Sequence, residues 1–124
     1  MKRVVLVGFD PVTVDFSDPA LPPGMTVEKI HDGVKLALAG MAERGWAAEV
    51  CFIKPDETAV PALERHLAGN RYDCVVIGAG VRLPPKHLNL FEALVNTIRR
   101  CAPQTAIAFN TRPHDSGAAA ARWI

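Results

Sequence analysis

Apolar positions along this chain fall into two rhythms. In residues 3–9 and 73–78 they form unbroken runs, Val-Val-Leu-Val and Cys-Val-Val-Ile. Runs of that kind mark strands covered on both faces. A shorter run over 48–53 carries Glu49 in its middle and reads as an edge strand, and residues 105–109 read as a fourth strand. Between the runs the apolar residues recur at three- and four-residue spacing, as on one face of a helix. Val27, Ile30, Val34, Leu38 and Met41 define a helix over 26–44, with Thr26 as its cap and Gly45 as its stop. Val60, Leu63 and Leu67 define a second over 58–68, with Pro61 in its first turn and Gly69 at its end. Leu88, Phe91, Leu94, Val95 and Ile98 define a third, which starts near Pro84–Pro85 and ends before Pro103. A short Ala-rich helix over 116–123 closes the chain, with Asp115 or Ser116 as its cap.

Strand and helix alternate with no hairpin signal, so the connections are right-handed crossovers and the sheet is parallel. The two most continuous strands, first and third, take the centre. The expectation is a three-layer α/β fold with a four-stranded sheet in the order 2-1-3-4, spanning residues 1–124 as a single domain. Its topology resembles that of flavodoxin and of response-regulator receiver domains, which are Rossmann-like in outline. The receiver resemblance implies acids after the first strand and a phosphoacceptor Asp at the end of the third; Asp10 stands at the first place and Ile77-Gly78 at the second. Phe9-Asp10 is similar to the first motif of haloacid-dehalogenase phosphatases, with Val12 where that motif has its second Asp.

Composition narrows the function classes. The 124 residues are 49% hydrophobic and 22% charged, an ordinary globular balance, and the net charge is +1. No global field draws such a chain to nucleic acid or to a membrane surface. The run Val4–Val7 is too short for a signal core or a membrane span. Cys51, Cys74 and Cys101 are odd in number and widely spaced, which points to reduced thiols in a cytoplasmic setting.

Chemistry concentrates in the loops at the carboxyl ends of the strands, where parallel sheets place ligands. Residues 10–25 hold Asp10, Asp15 and Asp18 together with four of the ten prolines. Three carboxylates suit a hard cation; a proline-stiffened flap explains the segment without one. Gly78 and Gly80 allow a ligand close to the backbone after the third strand, and Arg82 adds a cation. Asn110, Arg112, His114 and Asp115 follow the fourth strand, where His114 beside Asp115 offers acid–base chemistry. No catalytic or cofactor motif is complete. The first expectation is therefore a module that binds a small anionic molecule or a protein partner through Gly78, Gly80, Arg82, Asn110 and Arg112. The alternatives are a small hydrolase or transferase using His114, Asp115 and Asp10, and a structural subunit acting through a sheet edge. The uncharged fourth strand and the terminal Trp123-Ile124 point to a homodimer.

Overall fold

A computed structural model describes all residues, 1–124. The strands are β1 (Arg3–Phe9), β2 (Ala47–Ile53), β3 (Cys74–Ile77) and β4 (Ala106–Phe109). They form one parallel sheet in the order β2-β1-β3-β4, as the apolar runs predict. The helices are α1 (Val27–Glu43), α2 (Ala59–Gly69), α3 (Ala79–Arg82), α4 (Leu88–Cys101) and α5 (Ser116–Ala121).

The pleat explains why the central strands are apolar at every position. Val5, Val7, Val75 and Ile77 face α2 and α4, where Leu63, Leu67, Leu94 and Ile98 complete one core. Val4, Leu6, Cys74 and Val76 face the other way, onto Val34, Ala37 and Met41 of α1 and Ala119 and Ala120 of α5. Both faces are dry, so alternation disappears from the sequence. The outermost strand β2 carries Glu49, whose carboxylate meets Arg3 at 3.2 Å.

Local signals behave as their chemistry requires. The Thr26 hydroxyl accepts the Lys29 N–H at the start of α1, and Gly45 closes that helix with φ +81°, a backbone that L side chains rarely adopt. The third helix departs from the sequence reading. The chain makes the four-residue α3, then a 3-10 turn over Pro85–His87, and only then α4. Pro84 is extended (ψ 122°), and neither Pro84 nor Pro85 has an N–H to extend a helix through this point. The last helix stops at Ala121 rather than Trp123. Residues 10–25 contain one 3-10 turn, Pro11–Thr13, capped by Asp10. No helix is long and apolar enough to cross a membrane.

Candidate functional site

After β1 the chain turns to α1 on one face of the sheet; after β3 it turns to α3 and α4 on the other. The carboxyl ends of these adjacent strands therefore diverge and leave a crevice between them. The 10–25 segment crosses that crevice. Asp10 N–H donates to the Ile53 carbonyl at 2.8 Å, which ties the segment to the end of β2. Its far side is tied to the 3-10 turn before α4: Lys86 Nζ lies 2.7 Å from Asp15 Oδ2 and 3.5 Å from Asp18 Oδ2. A strap held at two places thus spans the strand ends.

Beneath the strap is a cavity of about 80 Å³. Phe9, Val14 and Leu21 supply its apolar wall, and Gly80 and Pro84 its floor after β3. Thr13, Asp15, Asp18, Lys86 and His87 supply its polar lining. The hydrogen bond from Lys86, with others from Ser17, lowers the Asp15 carboxyl to about 2. The same contact with Asp15 raises the Lys86 ammonium, so both stay charged across the neutral range. His87 sits edge-on to Phe9, with ring centroids 4.8 Å apart. Burial, and after it the charge of Lys86, hold this imidazole below its ordinary 6.5, while Asp18 and Asp15 pull it upward. At neutral pH the ring is uncharged. A ring kept neutral in the fold contributes stability that is complete above 6.5 and lost as the pH falls through its lower folded value. In an NMR pH titration the His87 ring protons are expected to show a midpoint below 6.5. Lys86→Gln should raise that midpoint and Asp18→Asn should lower it; the opposite order would refute this account of the cavity's electrostatics.

A second constellation joins the ends of β3 and β4. Asn110 is 2% exposed. Its Oδ1 accepts the Ala79 N–H at 2.9 Å, and its Nδ2 donates to Ser116 Oγ at 3.0 Å. The Ser116 hydroxyl in turn donates a hydrogen bond to the Pro113 carbonyl. Arg82 donates to the Asn110 carbonyl at 2.9 Å and lies over the Phe109 ring, while its Nε is buried without a partner. Asn110 is the clamp that fixes both loops.

The residues singled out in the sequence divide between these two places. Gly80, Asp15 and Asp18 line the cavity. Gly78 caps α3, and a Cβ there would stand 3.3 Å from the Val7 carbonyl oxygen, so its bareness serves close packing of β3 on β1. Arg82 and Asn110 bond to each other rather than outward, and Asn110 occupies the first N–H of α3. Arg112 is exposed, with its backbone N–H on the Asp115 carboxylate. The three aspartates of the 10–25 segment do not converge: the Asp10 carboxylate accepts the Val12 N–H, while Asp15 and Asp18 meet on Lys86. No group of three or more metal-ligating side chains exists. His114 is exposed. Burial works against the charged Asp115 carboxyl, but hydrogen bonds from Thr111 and Arg112 outweigh it and hold the group below its usual range. That carboxylate braces its own turn. Burial raises the Cys51 and Cys74 thiols to about 11, far from a reactive thiolate at neutral pH.

Two residues of the cavity escape sequence reasoning, Lys86 and His87. Helical periodicity assigns both to the third helix. The signal that marks them is the Pro84-Pro85 pair immediately before, which detaches them from the helix and sets Lys86 against the strap and His87 against Phe9. No known protein family matches the chain, and neither a curated protein nor a solved structure is significantly similar to it.

Proposed function

We propose that this protein is a binding module for a small anionic molecule, taken up at the β1/β3 crevice with Lys86 as the cationic handle. The observation that carries this reading is the convergence of Lys86, Asp15 and Asp18 on a partly enclosed cavity at the switch point of the sheet. Asp15 there stands where a ligand carboxylate or phosphate would stand. An incoming anion replaces it on Lys86 charge for charge.

The energetics are compatible with exchange. The side chains of Lys86 and Asp15 are about half exposed, 47% and 49%. Ion pairs at such positions are screened by solvent and contribute little net stability, so displacing Asp15 costs little. The cavity of about 80 Å³ is smaller than the roughly 300–1,000 Å³ that metabolite sites occupy, so binding requires the strap to lift from Lys86. Arg82 is a poorer handle than its sequence position suggests, because it is committed to Asn110 and Phe109. An enzyme built on His114, Asp115 and Asp10 is less favoured, because both carboxylates are spent on their own turns.

Thermal-shift series with inorganic phosphate, sulfate and a short dicarboxylate test the reading. At least one of these anions should raise the melting temperature of the wild type by mass action. Asp15→Asn, which removes the internal competitor, should tighten the apparent Kd by about two- to fivefold, the equivalent of a weak ion pair. Lys86→Ala should abolish the response. A wild type indifferent to all three anions, or a Lys86→Ala variant that responds as the wild type does, would sink the proposal.

A further inference from the structure

The two edges of the sheet are not equivalent in the backbone groups they leave free. In a parallel ladder alternate residues turn their backbone N–H and C=O to the same neighbour. Ala47 N–H donates to the Lys2 carbonyl, and the Ile53 carbonyl accepts from Asp10. With the register of β2 on β1, this turns the backbones of Ala47, Glu49, Cys51 and Ile53 inward. Those of Ala48, Val50 and Phe52 turn outward. The outward set ends sharply on both sides: the Trp46 N–H is taken by the Met41 carbonyl, and the Lys54 carbonyl by the Asp56 N–H. An open groove of about 460 Å³ lies between Cys51 and Phe52 and the α2 residues Ala62, Arg65 and His66, so the helix does not close over this edge. No proline or positive-φ residue interrupts β2.

The β4 edge, which the uncharged sequence of 105–109 suggests for a dimer, is partly occupied. Arg122 donates to the outward Phe109 carbonyl at 3.0 Å, and Thr105 N–H to the Ala102 carbonyl. Ile107 alone keeps both outward groups free.

We propose that β2 pairs antiparallel with β2 of a second copy, about a two-fold axis through Val50, joining two four-stranded sheets into one. This register uses every free N–H and C=O of Ala48, Val50 and Phe52. Sliding the centre to Ala48 or to Phe52 would call on the Trp46 N–H or the Lys54 carbonyl, which already have partners. The side chains agree with it. Val50 faces the partner's Val50, an apolar β-branched pair, and Ala48 leaves room for the partner's Phe52, a residue 37% exposed in the isolated chain. Glu49 is the one charged residue in the strand. It is neutralised by Arg3 within its own sheet and falls opposite Cys51, not opposite a second Glu49. Like charges therefore never meet across the axis. Charge on an edge strand is a common barrier to pairing. Here it is cancelled in place. The contact is isologous, so it closes at two copies and does not propagate.

Light scattering on the full chain at tens of micromolar should give twice the 13.4 kDa mass of one copy. Val50→Pro removes an N–H the isolated fold does not use and should give a monomer with an unchanged far-ultraviolet spectrum. A second measurement does not depend on that variant folding. The two Val50 Cα atoms of a hydrogen-bonded antiparallel pair stand about 5.5 Å apart, within the span of a disulfide. In a Cys101→Ser background, Val50→Cys should crosslink under mild oxidation and Ile107→Cys should not. A wild type of 13.4 kDa at these concentrations, a Val50→Cys variant that stays uncrosslinked, or crosslinking through Ile107→Cys instead would each overturn the proposal.

Discussion

Asn110→Ala is expected to lower stability by about 3 kcal/mol, although the residue lies outside both apolar cores. Its side chain occupies a buried position and satisfies groups on two other loops, the Ala79 N–H and the Ser116 hydroxyl. Truncation strands the amide at the start of α3 and removes the donor to Ser116. A buried polar group left without a partner costs about 1–3 kcal/mol, and the lost side-chain volume adds to it. At the entropy of unfolding usual for a chain of this length, 3 kcal/mol corresponds to a fall of about 10 °C in melting temperature. Ser116→Ala removes one of the same bonds and should cost about 1 kcal/mol. Calorimetry on the two variants checks the order. Equal and small losses would mean that the loops hold their positions without the clamp.

Met41→Ala is expected to be of comparable severity, with a loss of about 2–5 kcal/mol, in the range for emptying a well-packed methionine site. Met41 is 0% exposed and belongs to the core formed with Ala119 and Ala120 of α5. A Cβ at Gly117 would stand 3.4 Å from Met41 Cγ and 3.2 Å from Arg44 Nε, so the bare backbone of α5 is shaped around this side chain. The pair should therefore couple. In the Met41→Ala background, Gly117→Ala fills part of the void and gains the propensity of Ala over Gly in a helix, about 1 kcal/mol. The double variant should be more stable than Met41→Ala alone. Denaturant titration of the set measures the coupling directly. Additive losses would show that α1 and α5 do not meet as closely as described.

The first of these positions bears on the crevice through the loop it holds. Asn110 fixes the start of α3, which begins one residue after Gly78 and carries Gly80 into the cavity floor. Gly33 of α1 lies against Pro113, with a Cβ there only 3.1 Å from the proline ring, and so seats the turn that leads to Ser116. The site is held at its base by packing and closed at its top by an exposed ion pair. That division leaves the strap as the cheapest part to move.

Element order, the parallel sheet and its central strands could be read from residues alone. The unbroken runs at Val4–Val7 and Cys74–Ile77 record burial on two faces, and Glu49 records an edge. Such signals are local: each residue's polarity reports which way it faces, and the period of two or 3.6 does the rest. Thr26 and Gly45 worked as caps for the same reason, since a cap bonds within a few residues of itself. The candidate site was only half legible. Asp10, Asp15 and Asp18 stood out, and so did the loops after β3 and β4, but their partners did not. Asp15 meets Lys86 across 71 residues of sequence, and Asn110 meets Ala79 across 31. No periodicity encodes such meetings. They depend on the path of a proline-rich strap and on a helix interrupted at Pro84-Pro85, and each is decided by one or two hydrogen bonds after the cores have formed. The free edge is a similar case. Its sequence looks less inviting than that of β4, because Glu49 is visible in the sequence and the Arg3 beside it, like the Arg122 that covers β4, appears only when the chain is folded.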